Sequence, residues 1–184
     1  MAARRPPERS NLYLIGMMGS GKTTLGRLLA QALERPFLDT DELVELREGR
    51  TIPQIFEEEG EAYFREVEAR CVLEASRLGG AVVALGGGAV LREANRRVLK
   101  ATGRSIYLKV RPETILARLP EHPARPLITA VDVEERLALL RRLLAAREPY
   151  YLQQADLVVE NEGPPEAALR SILRELRRRG WLPP

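Results

Sequence analysis

Short apolar runs alternate with longer stretches in which apolar residues recur at helical spacing, and this rhythm continues along most of the 184-residue chain. Strands are predicted at Leu12–Ile15, Pro36–Leu38, Ala81–Leu85, Ser105–Val110 and Asp156–Val159, each followed by at least one helix-like segment. The first helix, from Lys22 to about Glu34, places Leu25, Leu28, Leu29, Ala32 and Leu33 on one stripe. Strands separated by helices need right-handed crossovers, which lay the strands parallel and cover both faces of the sheet. The expected fold is therefore a doubly wound α/β domain.

Two regions break the rhythm. Between the second and third strands, residues 40–79 read as two or three helices punctuated by Gly49, Pro53 and Gly60, an insertion larger than a crossover requires. Around residues 119–132, the run PEHPARPLITAV carries three prolines and no helical stripe, as a loop or lid would. Residues 1–10 precede the first strand, are basic, and are expected to be a flexible leader to a single domain over 11–184.

Composition narrows the class. One cysteine, Cys71, excludes an intrachain disulfide and a cysteine metal cluster, and points to the reducing cytoplasm. Its helical spacing with Phe64, Val67 and Leu78 makes it a core residue rather than a nucleophile. The longest weakly polar run, AVVALGGGAVL, is too short to span a bilayer, so no membrane partner is expected. A net charge of +3 and a pI near 9.3 are small excesses with acids and bases interspersed, which argues against nucleic acid as a partner. The RRR of Arg177–Arg179 before Gly180 fits cations at a helix end with a glycine cap. His122 is the single histidine and has no ligand cluster around it.

Gly16-x4-Gly21-Lys22-Thr23 lies between an apolar strand and an amphipathic helix, the context a phosphate-binding loop demands. Glycines there let backbone N–H groups turn toward phosphate oxygens, and the helix N-terminus adds partial positive charge. Lys22 then reaches the β- and γ-phosphates and Thr23 ligates Mg²⁺. The accompanying carboxylate falls to Asp39 and Asp41 after the second strand, because the third ends in Gly86, Gly87 and Gly88. Alternatively Asp39 or Thr40 caps the helix DELVE, with Glu42 completing a capping box. Arg65 and Arg147 stand in apolar surroundings and suit bidentate capture of a carboxylate, or form surface ion pairs, Arg65 with Glu68.

In order along the chain, GMMGSGKTTLGRLLA, FLDTD, FREVE, GGG, RPL at Arg125–Leu127 and REPYY followed by Ala155-Asp156 resemble the shikimate kinase family. The resemblance runs from about Asn11 to Leu169. It implies a fold like that of nucleoside monophosphate kinases: a five-stranded parallel sheet, a helical substrate-binding insertion over about 40–79, and a closing lid. It also implies transfer of the γ-phosphoryl group of ATP to the 3-hydroxyl of shikimate, with Mg²⁺, on the route to chorismate and the aromatic amino acids. Small-molecule substrates and a monomer are what such a member would have.

Carried onto this sequence, the resemblance gives Lys22, Asp41 and Arg125 catalytic roles. Gly19, Ser20, Gly21, Lys22, Thr23, Thr24, Arg118 and Arg125 would bind ATP, Arg118 by stacking on adenine. Asp41, Arg65, Arg147 and Gly86–Gly88 would hold shikimate, with Phe56, Phe64, Pro126 and Leu127 lining its ring. Thr23 and Asp39 would serve the metal. The segment Glu160–Pro164 falls where a second adenine loop is expected but does not align residue by residue. Two other classes share parts of this pattern: a gluconate-type kinase of the same fold, which should lack the paired-arginine site, and a nucleotide-binding module without chemistry.

Overall fold

The computed structural model describes residues 10–119 and 132–182. Five strands form one parallel sheet: β1 (Asn11–Ile15), β2 (Phe37–Asp39), β3 (Val82–Ala84), β4 (Gly103–Lys109) and β5 (Leu157–Glu160), in spatial order β2-β3-β1-β4-β5. Every pairing is parallel, including Leu14 opposite Ala84 on one side and Ile106 on the other. The helices are α1 (Lys22–Ala32), α2 (Thr40–Glu48), α3 (Ile52–Glu58), α4 (Gly60–Leu78), α5 (Glu93–Thr102), α6 (Pro112–Arg118), α7 (Val133–Gln154) and α8 (Pro165–Arg178).

Strand alternation builds two cores. Leu12 and Leu14 of β1 point to the face covered by Leu25 and Leu29 of α1 and Ile172 and Leu176 of α8. Tyr13 and Ile15 point to the other face, with Leu99 of α5 and Leu140 and Tyr151 of α7. Both faces of the sheet are thus covered. The insertion has a satellite core of its own, Val44, Ile52, Ile55, Phe64, Val67 and Cys71. It comprises three helices, α2, α3 and α4, separated at Gly49 and Glu59, while Pro53 lies in the first turn of α3 where its missing N–H costs nothing.

Three local expectations need correction. On α1, Ala32 is exposed, and Gly26 and Ala30 take its place in the buried stripe. Gly26 is small because Phe37 lies against it: a Cβ would meet the Phe37 ring at 2.5 Å. Leu78 does not join Cys71 in the core; it sits at the end of α4 and is 59% exposed. Glu42 completes no capping box, because its carboxylate turns to Arg27 at 2.6 Å.

The C-terminal end behaves as its sequence implies. Gly180 takes φ 63°, and the Trp181 N–H donates to the Leu176 carbonyl, closing α8. Trp181 packs against the α1/α8 core between the guanidinium groups of Arg104 and Arg179, 5.2 and 5.1 Å from the ring centre.

Candidate active site

The carboxyl ends of β1, β2 and β3 meet at one sheet edge, and two adjoining pockets open there. Residues between β1 and α1 wall the first. Gly16, Gly19 and Gly21 all have positive φ, and a Cβ on Gly16 would sit 2.8 Å from the Leu108 carbonyl. Gly19, Gly21, Lys22, Thr23, Thr24, Asp39 and Arg118 line this pocket together with Asn161, Gly163 and Pro165. Ser20 does not line it through its side chain; the hydroxyl is buried and the carbonyl accepts from Asn161 Nδ2 at 2.8 Å. The Lys22 ammonium folds over its own loop and donates to the Gly16 and Met17 carbonyls at 3.0 and 2.7 Å.

Asp39 does both things its position allowed. Oδ1 caps α2 by accepting from the Asp41 N–H at 2.9 Å, and Oδ2 accepts from the Thr23 hydroxyl at 2.7 Å. Thr40 is not the cap; its hydroxyl accepts from the Gly86 N–H at 2.9 Å, tying the start of α2 to the glycine run. Arg118, at the end of α6, donates to the Asn161 and Gly163 carbonyls at 2.7 and 3.4 Å. The guanidinium is thereby held against the loop after β5, on the far wall of the pocket from Thr23.

The second pocket is lined by Met18, Asp41, Ile52, Phe56, Phe64, Arg65, Glu68, Gly86, Gly87, Gly88 and Arg147. Met18 and Asp41 line both pockets, so the two compartments meet at Asp41. Residues from α2, α3, α4, α7 and the turn after β3 converge here. Phe56 and Phe64 stack with ring centres 4.7 Å apart and form an apolar wall. The glycines are demanded by crowding. A Cβ on Gly88 would lie 2.5 Å from the Arg65 guanidinium, and one on Gly86 would lie 2.5 Å from Glu68 and 2.7 Å from Asp41.

Arg65 is both an ion-pair partner and a pocket residue. Its guanidinium donates to Glu68 at 2.8 Å and to Glu61 at 3.0 Å while lying over Gly88. Burial pulls its pKa down, but the two carboxylates outweigh that and raise it, so it stays charged. Arg147 is buried on α7 beside Gly87. Glu68, expected only as a surface partner of Arg65, is 1% exposed and lines the pocket. Its Oε1 has no hydrogen-bond partner. Burial raises the Glu68 pKa, opposed by Arg65 and reinforced by Asp41.

A stability consequence follows from that raised value. The folded state holds the Glu68 proton more tightly than the unfolded chain, whose value is about 4.3. The contribution is fully present below that unfolded value and is lost as pH rises through the higher folded one. Melting of the wild type beside Glu68→Gln across pH 4 to 8 is therefore expected to show the wild type losing ground as pH rises. A constant difference would show that the carboxyl titrates alike in both states.

Arg125, Pro126, Leu127 and His122 lie outside the described residues, as does most of the expected lid. All other residues proposed from sequence are brought to this edge. Side chains not singled out from sequence that line the pockets are Met18 in the glycine loop, Ile52, Glu68, Leu85, Pro165 and Asn161, the last within the Glu160–Pro164 segment expected near adenine.

The match to the shikimate kinase family model covers residues 18–177. A shikimate kinase of Pseudomonas entomophila is 47% identical over 175 residues, covering 95% of this chain and 98% of that one. The chain belongs to the shikimate kinase family. Among solved structures, the Acinetobacter baumannii shikimate kinase in complex with shikimate superposes with a TM-score of 0.88 at 38% identity, covering 95% of this chain and 98% of that one. The Aquifex aeolicus shikimate kinase gives 0.80 at 37%, with coverages of 92% and 98%. A Sinorhizobium meliloti gluconokinase, at 17% identity and TM-score 0.55 over 96% of this chain and 94% of that one, shares the fold alone. Family membership accounts for the two compartments: a kinase needs one for the nucleotide and one for the acceptor, meeting where the phosphoryl group crosses.

Proposed function

We propose that this enzyme transfers the γ-phosphoryl group of ATP to the 3-hydroxyl of shikimate, a step of chorismate and aromatic amino-acid biosynthesis, in the cytoplasm and as a monomer. The observation that carries the acceptor assignment is the pocket in which Arg65, Arg147 and three consecutive glycines surround a small space bounded by Asp41 and a phenylalanine pair. Two guanidinium groups and backbone N–H groups suit a carboxylate, the aromatic wall suits a ring face, and Asp41 suits hydroxyls.

In this reading the loop Gly16–Thr23 receives the phosphates, and Lys22 exchanges its carbonyl partners for β- and γ-oxygens. Arg118 and the segment Asn161–Pro165 enclose the adenine. Asp41 orients the attacking hydroxyl and accepts its proton as the phosphoryl bond forms. Arg125 closes over the transferring group, adding positive charge and excluding water, which would otherwise compete as acceptor.

The residues fit a divalent cation of the magnesium type. Thr23 and Asp39 present adjoining oxygens at the pocket edge, while no cluster of three or more metal-ligating side chains exists among the described residues. Such a site relies on phosphate and water oxygens to complete the shell, as Mg²⁺ sites do. When bound, the ion neutralises charge on the phosphates.

The test is coupled ATP turnover with Mg²⁺ and shikimate, quinate or gluconate as acceptor. Turnover with shikimate well above the other two is the expected result, and equal or greater turnover with gluconate would replace the acceptor assignment. No helix among the described residues is long and apolar enough to cross a membrane, and we infer no membrane or nucleic-acid partner from the mixed surface charge.

A further inference from the structure

Tyr151 lies on α7 one turn after Arg147 and is fully buried. Nothing in the reading so far uses it. Its hydroxyl donates to the Gly87 carbonyl at 2.5 Å, in the middle of the glycine run that lines the acceptor pocket. The hydroxyl also stands 3.7 Å from Met17 Sδ, and the Arg147 guanidinium lies near enough to pull the phenol's pKa down. The ring is fixed by stacking on Tyr107, with centres 5.1 Å apart. One hydroxyl is therefore bonded to a backbone carbonyl 64 residues away in sequence while lying beside an arginine of its own helix.

We propose that Tyr151 is a positioning residue for the acceptor's carboxylate, acting through Arg147 and the Gly87–Gly88 peptide. A trans peptide holds its N–H opposite its carbonyl, so pinning the Gly87 carbonyl also sets the direction of the Gly88 N–H. Gly88 has no Cβ to keep a ligand away, and the neighbouring Gly86 and Gly88 carbonyls already accept from the Ala89 and Leu91 N–H groups, so the Tyr151 hydroxyl fixes the carbonyl between them. Arg147, one of two guanidinium groups at this wall, has a fixed neutral phenol beside it that limits its room without neutralising it. A carboxylate at that place would weaken the attraction for an anionic acceptor, as a phenol does not. Burial pushes the Tyr151 phenol up to about 12 against the pull of Arg147, so it remains a donor to Gly87 throughout the working pH range.

This inference rests on the reading that the pocket takes the acceptor's carboxylate, and its test separates the two. Tyr151→Phe keeps the ring, its stacking and its volume while removing the hydroxyl oxygen. Steady-state kinetics with shikimate and ATP varied separately are the readout, with melting temperature recorded beside them. Losing the hydrogen bond that fixes the Gly87 carbonyl, and the phenol beside Arg147 with it, is expected to raise KM for shikimate about tenfold, with KM for ATP and kcat within about twofold. Tyr107→Phe, which removes a hydroxyl facing Glu148 rather than the pocket, should leave both KM values unchanged. A Tyr151→Phe enzyme with unchanged KM for shikimate overturns the inference, as does one whose two KM values rise together or one that does not fold, since the hydroxyl would then serve stability. Wild-type protein that neither phosphorylates nor binds shikimate overturns the functional reading and this inference with it.

Discussion

Replacing Asp41 by Asn should lower kcat with shikimate about a thousandfold, equivalent to roughly 4 kcal/mol of transition-state stabilisation, while leaving nucleotide affinity nearly intact. The position of the carboxylate makes this specific. Asp41 lies in the first turn of α2, its backbone N–H held by Asp39, and it lines both the nucleotide and the acceptor compartments. An amide of the same shape keeps the packing beside Gly86 but no longer offers a negative, proton-accepting oxygen to the attacking hydroxyl. The capping bond comes from the backbone and is unaffected, so α2 and the neighbouring Thr23–Asp39 contact should persist. Turnover measured beside ADP binding decides the matter. A variant retaining most of the wild-type kcat would show that alignment and positive charge suffice without a proton acceptor at this place, whereas parallel loss of ADP binding would mean the substitution had disturbed the loop.

The contrast between Asp41 and the residues overlooked in the sequence shows what short-range pattern can convey. Strand positions and the phosphate loop are legible because their causes are local: alternation on β1, glycines where φ must be positive, and a helix opening at Lys22. Asp39 reads from sequence as cap or as metal carboxylate, and its geometry is compatible with both, since one oxygen caps α2 and the other accepts from Thr23. Asn161 was illegible for the opposite reason. Its side chain meets Ser20 across 141 positions of sequence, through the pairing of β4 with β5 that brings the loop after β5 to the phosphate loop. Glu68 was misjudged because an arginine three residues earlier on a helix is the usual sign of an exposed pair. Here the pair points inward, because the same face of α4 carries Phe64, Val67 and Cys71 into the satellite core of the insertion.

Pattern singled out Arg65 and Arg147 but left carboxylate capture and surface ion pairing open, and the family resemblance favoured the first. The structure supplies the physical reason. Arg65 arrives on α4 and Arg147 on α7, two helices with no sequence relation, and the glycine turn after β3 is the surface both can reach only because it has no side chains. The three glycines and two arginines therefore form one device. A Cβ would crowd Glu68 and Asp41 at Gly86 and Arg65 at Gly88, whereas at Gly87 it would press on the phosphate-loop backbone at Met18 N, 3.3 Å away, with Arg147 in ordinary contact at 3.6 Å.

Lys22→Met should reduce kcat/KM for ATP by about three orders of magnitude, with melting temperature changed little. The ammonium is 9% exposed and donates to two carbonyls of its own loop, contacts that binding of nucleotide would exchange for phosphate oxygens. Neutral carbonyls are weaker partners than phosphate oxygens, and the exchange on binding ATP favours the nucleotide. Methionine preserves the apolar stem, and the loss of two hydrogen bonds to carbonyls that can turn toward water limits the cost to folding. The transferring phosphoryl group is anionic and loosely bonded, so catalysis depends on fixed positive charge more than on covalent chemistry. Two cations among the described residues line this pocket, Lys22 on the glycine loop and Arg118, whose guanidinium is held by the Asn161 carbonyl after β5. Full retention of ATP turnover by the methionine variant would therefore require charge from Arg125 and the divalent ion to suffice. A second substitution, Arg125→Met, made in that background would then be expected to remove the remaining rate, because the other cation of the described residues lining this pocket, Arg118, is held at the loop after β5.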